Sequence, residues 1–305
     1  MNKKTIYILF VLLMMFSSVS LSQTEQQGQQ KVFISLMLTD LEQIDTKEET
    51  FEAEFYLWLK WKEGRPGKNI EYINVTDYKN IFYDEWADSL QRVSAKVRGT
   101  FRSRFDVEKY PFDKQILKIR ISDYDWNFDS LMYEVETSKT GIAKDVYDGE
   151  WDIKLVGATA NKEFISEDNF SVFEFAVEIK RKSFSVFIKI IIPLFIIMAI
   201  AFLNLFVPRD QIGAGTGLAI SSLLSIIALH FSIAAQLPEV NYPTKVDILF
   251  IVSFFFNLLL VIWVIAGYNL YVSEKKNSID KINKLVKPLL PLLYIIFAFI
   301  LLKIG

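Results

Sequence analysis

Two patterns of apolar residues divide the chain. Between residues 31 and 183 apolar and polar positions tend to alternate in short runs; beyond residue 184 the apolar positions fuse into long blocks. Lys31–Asp40 (KVFISLMLTD) and Glu52–Trp61 (EAEFYLWLKW) alternate in part and are rich in β-branched and aromatic residues, the mark of half-buried strands. Val93–Phe105, Gln115–Ser122, Trp151–Val156 and Ser171–Lys182 read the same way. Gly64, Pro66, Gly67, Gly99, Gly141 and Gly149 punctuate these runs as turns. No long helical period interrupts them. Short strands separated by turns predict an all-β, immunoglobulin-like sandwich, and Trp58, Trp61, Trp86, Trp126 and Trp151 read as parts of its core.

The apolar blocks predict four helices at about 184–207, 216–237, 246–268 and 288–304, each long enough, or nearly so, to cross a bilayer. The amino terminus adds a fifth apolar run, Ile6–Phe16, behind Lys3 and Lys4 and ahead of the small residues Ser20 and Ser22. Eleven helical residues reach only about 16 Å, too short for a hydrocarbon core of about 30 Å. Residues 1–22 therefore read as a secretory signal peptide. The domain of residues 23–183 then lies outside the cytoplasm, followed by a membrane domain of residues 184–305. Four spans return the carboxyl terminus to the outside and leave residues 269–287 as a cytoplasmic loop. Lys275, Lys276, Lys281, Lys284 and Lys287 in that loop follow the positive-inside tendency, whereas Lys180, Arg181 and Lys182 on the outer side run against it. The expected location is a bacterial inner (plasma) membrane, as a multi-pass protein.

Composition narrows the chemistry. The 305 residues include no Cys and one His, His230, which removes disulfide scaffolds, Cys-ligated zinc, cysteine nucleophiles and Ser-His-Asp triads. No nucleophile–base pair, phosphate-cradling Gly loop or metal-ligand spacing stands out, so the chain reads as a non-enzyme without cofactor or metal. Residues 23–183 hold 31 acidic against 23 basic residues. That acidic balance does not suit nucleic-acid binding.

The second apolar block, TGLAISSLLSIIALHFSIAAQL, is unlike the others in its Gly, Ala and Ser. Steps of three and four place Gly217, Ser221, Leu224, Ala228, Phe231 or Ser232, and Ala235 on one face. Two readings fit. Small residues let a helix pack closely inside a bundle; alternatively, several copies of this face enclose a pore, with Ser hydroxyls replacing ion hydration and Leu224 forming an apolar constriction. His230 falls beside this face, as a buried imidazole bonded to a neighbouring helix or as a proton sensor.

Five stretches of the chain resemble pentameric ligand-gated ion channels, bacterial members above all. Tyr110–Gln115 (YPFDKQ) is close to the centre of the family's signature loop, with Ser103 and Leu117 where animal receptors carry the two loop cysteines. Ile179–Pro193 (IKRKSFSVFIKIIIP) looks like the last strand entering the first membrane helix. Gly217–Ser225 (GLAISSLLS) is similar to the pore helix, and Leu237–Asp247 (LPEVNYPTKVD) to the linker that follows it. Tyr56–Trp61 matches a strand walling the ligand pocket, and Trp61 a structural tryptophan of the family.

The resemblance implies a homopentamer around a central pore lined by the second helices, with an extracellular agonist (a small molecule, a proton or a divalent cation), permeating ions and membrane lipids as partners. Gating would involve the loop Ile44–Glu49 with Asp45 and Lys47, the loop residues Tyr110, Pro111, Phe112 and Asp113, the linker residues Pro238 and Tyr242, and a charge pair of Asp113 with Arg181. Tyr56 and Tyr124, with Phe164 and Phe170 on the capping loop, match aromatic walls of the agonist pocket. Core or subunit-seam packing is the other reading of these four. The stretch from Trp61 to Tyr110 is short for the family and lacks its Trp-x-Pro segment, which implies a reduced pocket. The selectivity region comprises Asp210, Gly213, Ala214 and Glu239. The neutral Gly213–Ala214–Gly215 looks like anion-selective members, and the acidic outer domain favours cations weakly. A non-conducting receptor of the same fold is the alternative.

Overall fold

A computed structural model describes residues 28–62, 69–87, 90–273 and 276–303. The signal-peptide reading of residues 1–22, the turn at Gly64, Pro66 and Gly67, and the loop residues Glu274 and Lys275 lie outside them. So do the side chains of Lys276, Asp280 and Lys281.

The strand domain is a sandwich of two sheets. One has the order β4(Val75–Ala87)–β5(Gln91–Arg102)–β2(Thr50–Trp61)–β1(Gln30–Asp45)–β7(Leu131–Val135), with the short β8(Gly141–Ile142) also on β1. The other has the order β3(Ile70–Tyr72)–β6(Lys114–Asp123)–β10(Asp168–Arg181)–β9(Trp151–Ile165). Strand β2 shows why the sheets stack. Phe51, Ala53, Phe55, Leu57, Leu59 and Trp61 are all buried, and the residues between them point outward. Leu117, Ile119 and Ile121 of β6 and Phe173 and Phe175 of β10 belong to the same core. One-residue slips would turn each of these rows toward water, so the alternation also sets the register.

The expected strands form, and others join them. Strand β4 was not expected because nearly all of its residues are exposed. It is an edge strand with no apolar face to alternate. Tyr78, Ile81, Phe82, Tyr83 and Trp86 stand exposed along it. Trp86 is thus a correction to the core reading; Trp61 and Trp151 are buried, and Trp58 and Trp126 are half-buried.

Four helices long and apolar enough to cross a membrane follow: Ser183–Phe206, Ile212–Ala234, Lys245–Val272 and Ile282–Lys303, the last continuous with a helix that begins at Lys276. The residues expected to form a loop at 269–287 are therefore mostly helical, and the break falls between Val272 and Lys276. The first helix contains a π-turn at Phe187–Ile191. Its cause lies at Pro193, whose ring nitrogen has no hydrogen to give the carbonyl of Lys189 four residues earlier. The backbone closes instead from Ile192 N–H to Phe187 O. Thr244 caps the third helix, with its hydroxyl accepting from Asp247 N (3.2 Å) while Asp247 accepts from Thr244 N (2.9 Å).

The second and third helices are in tight contact at Gly215. A Cβ there would lie 2.8 Å from a Val264 methyl, so only hydrogen fits without a shift. Buried Asn204, with its amide turned to satisfy both partners, donates to Gly215 O (2.8 Å) and accepts from Ala219 N (3.3 Å).

Candidate functional site

The sheets meet the helices in a polar seam. At its centre Arg181, the last residue of β10, is buried and faces Asp113 of the β5–β6 loop. Nε donates to Oδ1 at 2.8 Å and Nη2 to Oδ2 at 3.2 Å, a two-pronged geometry matched to the carboxylate plane. The guanidinium carbon lies 4.0 Å from the centroid of the Trp151 ring and 5.1 Å from that of Tyr110. These aromatic faces help stabilise a charge removed from water.

The pair is one link in a longer chain of hydrogen bonds. Arg181 Nη2 also donates to Thr46 Oγ1 (3.2 Å) on the β1–β2 loop. Gln115 Nε2 donates to Asp113 Oδ2 (2.9 Å) and to Asp106 O (2.7 Å), and Gln115 Oε1 accepts from Asp106 N (2.8 Å). Asp106 Oδ1 then accepts from the Tyr242 hydroxyl (3.2 Å), which itself accepts from Val107 N (3.4 Å). Lys245 N donates to Glu108 O (3.0 Å). Desolvation raises the Tyr242 phenol above its ordinary value, and the Asp106 carboxylate adds to this, so the tyrosine stays a neutral donor. Burial first, then the carboxylates of Asp113 and Glu150, raise Tyr110 likewise, against the opposing pull of Arg181.

Of the residues expected at this seam, Asp45, Lys47, Tyr110 and Arg181 line one cavity. Asp45 is the anchor of the β1–β2 turn, its Oδ1 accepting from Lys47 N (2.9 Å) and Glu48 N (3.0 Å). Gln43 and Glu49 adopt positive φ on either side. Tyr110–Pro111 is a cis peptide, and Pro111 O accepts from Ser183 Oγ at 2.8 Å. Phe112 is exposed. Pro238 is half-buried in the linker. A cavity of about 520 Å³ opens between the β1–β2 loop, Glu52, Tyr110, Glu150 and Arg181 above and Ala235, Gln236 and Leu237 at the end of the second helix. Asp106, Val107 and Glu108 escape the sequence reading, and Thr46 and Gln115 fall within its named stretches without being singled out. Their partners lie up to 136 residues away, and no local pattern marks them.

On the second helix Gly217, Ser221, Leu224, Ala228, Phe231 and Ala235 are all exposed, as are Gly213, Ala214 and Ser232. Gly215, Ala219, Ser222, Ile226 and Ile233 are buried behind them against the other helices. Ser232 lines a cavity shared with the first helix, whereas Phe231 faces away from the protomer, 68% exposed. Asp210 and Glu239 stand exposed at the two ends. His230 is half-buried, with Nε2 at 3.1 Å from Asp247 Oδ1 on the third helix and its ring 4.8 Å from that of Phe250.

Within one protomer the four pocket aromatics stand on different elements. Tyr56 is on the outer face of β2, stacked on Trp58 at 5.6 Å, with the Lys96 ammonium 5.4 Å from its centroid. Phe164 and Phe170 flank the β9–β10 turn, and Tyr124 follows β6. Phe164 and Tyr124 are largely exposed. No ring contact joins Tyr56 to the other three. Among the described residues no cluster of three or more metal-ligating side chains occurs.

Residues 190–296 match the family model described as the neurotransmitter-gated ion-channel transmembrane region. The chain is 24% identical over 295 residues to a proton-gated ion channel of Gloeobacter violaceus, covering 87% of this chain and 80% of the relative. It is 25% identical over 174 residues to the pH-sensitive chloride channel 2 of Drosophila melanogaster, covering 53% of this chain and 33% of that one.

Proposed function

We propose that the chain is a pentameric ligand-gated ion channel, a homopentamer whose outer domains gate an ion pore on an extracellular stimulus, as its match to the neurotransmitter-gated ion-channel transmembrane region and its likeness to a proton-gated ion channel support. The observation that carries this reading is the hydrogen-bond chain from Thr46 through Arg181, Asp113, Gln115 and Asp106 to Tyr242. It ties the strand domain to the linker that leads out of the second helix. A stimulus that shifts the loops therefore biases that helix, provided it binds the two states unequally.

The exposed face from Gly217 to Ala235 supports a pore lining, since it is left unpacked by the protomer's own helices. Leu224, 60% exposed and midway along, is the constriction. The aromatic edge of β4 suits the neighbouring subunit. We take the proton as the stimulus. One relative is described as a proton-gated ion channel and the other as a pH-sensitive chloride channel. The Lys96 ammonium already occupies the Tyr56 face that an amine agonist would use.

The permeant species is a small monovalent ion. The acidic outer domain favours cations by raising their local concentration. The chloride-channel relative and the neutral Gly213–Ala214–Gly215 mouth favour the anion reading. Recording from the purified protein in planar bilayers with asymmetric salt, stepping pH and divalent concentration, tests the proposal. Acid-evoked single-channel currents support it, and the sign of the reversal potential assigns the ion. Silence from a verified pentamer at every pH sinks proton gating.

A further inference from the structure

A second cavity, of about 300 Å³, lies between the outer ends of the first and second helices. Its polar wall is Lys182, Ser185, Lys189, Ser232 and Gln236, and its apolar wall is Val186, Ile190, Leu229 and Ile233. Glu150, Tyr110 and Arg181 close the end nearest the sheets.

Lys189 is the one charged residue of the span Ser183–Phe206. A charge inside a span is costly and calls for a partner. The other cations of this cavity have theirs. Arg181 pairs with Asp113; Lys182 donates to Asp148 O (2.7 Å) and lies 3.8 Å from Asp152 Oδ1. Lys189 makes no hydrogen bond, ion pair or ring contact among the described residues. It sits within the π-turn Phe187–Ile191. Around it Phe184, Phe187 and Ile188 are exposed apolar side chains.

We propose that this cavity binds the anionic head of an acyl lipid, with the Lys189 ammonium as its counter-ion and Ser185, Ser232 and Gln236 as hydrogen-bonding neighbours. The head is a carboxylate or a phosphate, because both offer oxygens to one ammonium and two hydroxyls. The acyl chain leaves over Val186, Ile190 and the exposed Phe187 and Ile188, which favour hydrocarbon over water. A neutral amphiphile gains the apolar contacts but leaves Lys189 unpaired. A headgroup held here bridges the first helix to Leu229, Ser232, Ile233 and Gln236 of the second, so its occupancy bears directly on where the outer end of the second helix sits.

Photolabelling of the purified pentamer in neutral-lipid nanodiscs tests this. Three diazirine probes are used: a fatty acid, the fatty alcohol of the same chain, and a phosphatidylglycerol. The expected result is labelling of Ser183–Ile192 and Leu229–Gln236 by an anionic probe about fivefold above the alcohol, the factor for one lysine near a charged lipid. The excess disappears in Lys189→Met and is kept in Lys189→Arg. Labelling by the fatty acid alone assigns the carboxylate, and labelling by the phospholipid alone assigns the phosphate. Labelling by neither anionic probe above the alcohol in the unaltered protein overturns the proposal, as does an excess that survives in Lys189→Met or maps elsewhere. Should Lys189→Met fail to assemble, the ratio of the better anionic probe to the alcohol in the unaltered protein decides.

Discussion

His230 and Asp247 join the second helix to the third, Nε2 to Oδ1 at 3.1 Å, and the same carboxylate closes the capping box with Thr244. A hydrogen bond of this kind contributes about 0.5–1.5 kcal/mol. His230→Leu removes the link between the two helices and leaves the Thr244–Asp247 capping box in place. The expected outcome is a pentamer that assembles normally with its stimulus–response curve shifted by roughly threefold to tenfold, read from currents across a pH series. An unchanged pH curve removes His230 from the gating mechanism.

Arg181 and Asp113 are both buried, so removing one strands the other. Arg181→Met and Asp113→Leu should each cost about 3–5 kcal/mol in unfolding, and the double variant markedly less than the sum. Thermal unfolding of the four proteins gives the coupling directly. Additive losses would mean that the two charges act independently.

Tyr242→Phe deletes one hydroxyl that serves both Asp106 and Val107. The expected loss is about 0.5–1.5 kcal/mol, too small to unfold the protein. Its effect belongs in the stimulus–response curve, shifted by about threefold to tenfold with assembly intact. Equal curves for the two proteins would place Tyr242 outside the coupling path.

Asp40 raises the Glu42 carboxyl above its ordinary value, by charge repulsion and then by a hydrogen bond, with Arg98 opposing and Glu52 adding. The folded domain therefore holds a proton at Glu42 that the unfolded chain has already released. Stability from this group is fully present below the ordinary glutamate range and is lost as pH rises through the higher folded value. Glu42→Gln should raise the melting temperature by about 1 °C at neutral pH and leave it unchanged in acid. The effect is small because the group is solvent-exposed.

At Gly215 a valine would collide with Val264 and push the second helix off the third. Overpacking of this kind costs about 1–3 kcal/mol. Gly215→Val should reduce pentamer yield, and Gly215→Val with Val264→Ala should restore much of it, measured by size-exclusion chromatography.

Much of the fold is legible from spacing alone. The alternation in β2 survives as six buried residues in register, and the first three apolar blocks become membrane-length helices within about four residues of their expected ends, while the fourth helix starts well before its expected residue 288. Strand β4 is illegible because an edge exposed on both faces has no reason to alternate. The connection at 269–287 reads as a loop from its charge, yet among the described residues the backbone is helical to Val272 and again from Lys276, where an exposed lysine such as Lys284 costs little. At the seam, Asp113 and Arg181 are visible through the family resemblance. Gln115 and Asp106 are not, since their value lies in bonds to backbone atoms and to Tyr242 that only the folded chain creates.

The tight contact at Gly215 has a mechanical consequence for the second helix. Its inner end is pinned by Val264 and Asn204, while its outer end borders both cavities. A rod held this way turns about its pinned end as a lever about a fulcrum. With a rise of about 1.5 Å per residue, Leu224 stands roughly halfway between Gly215 and Ala235, so it moves through roughly half the arc of the tip. Gearing of this kind converts a coarse movement of the outer loops into a fine adjustment of bore at Leu224.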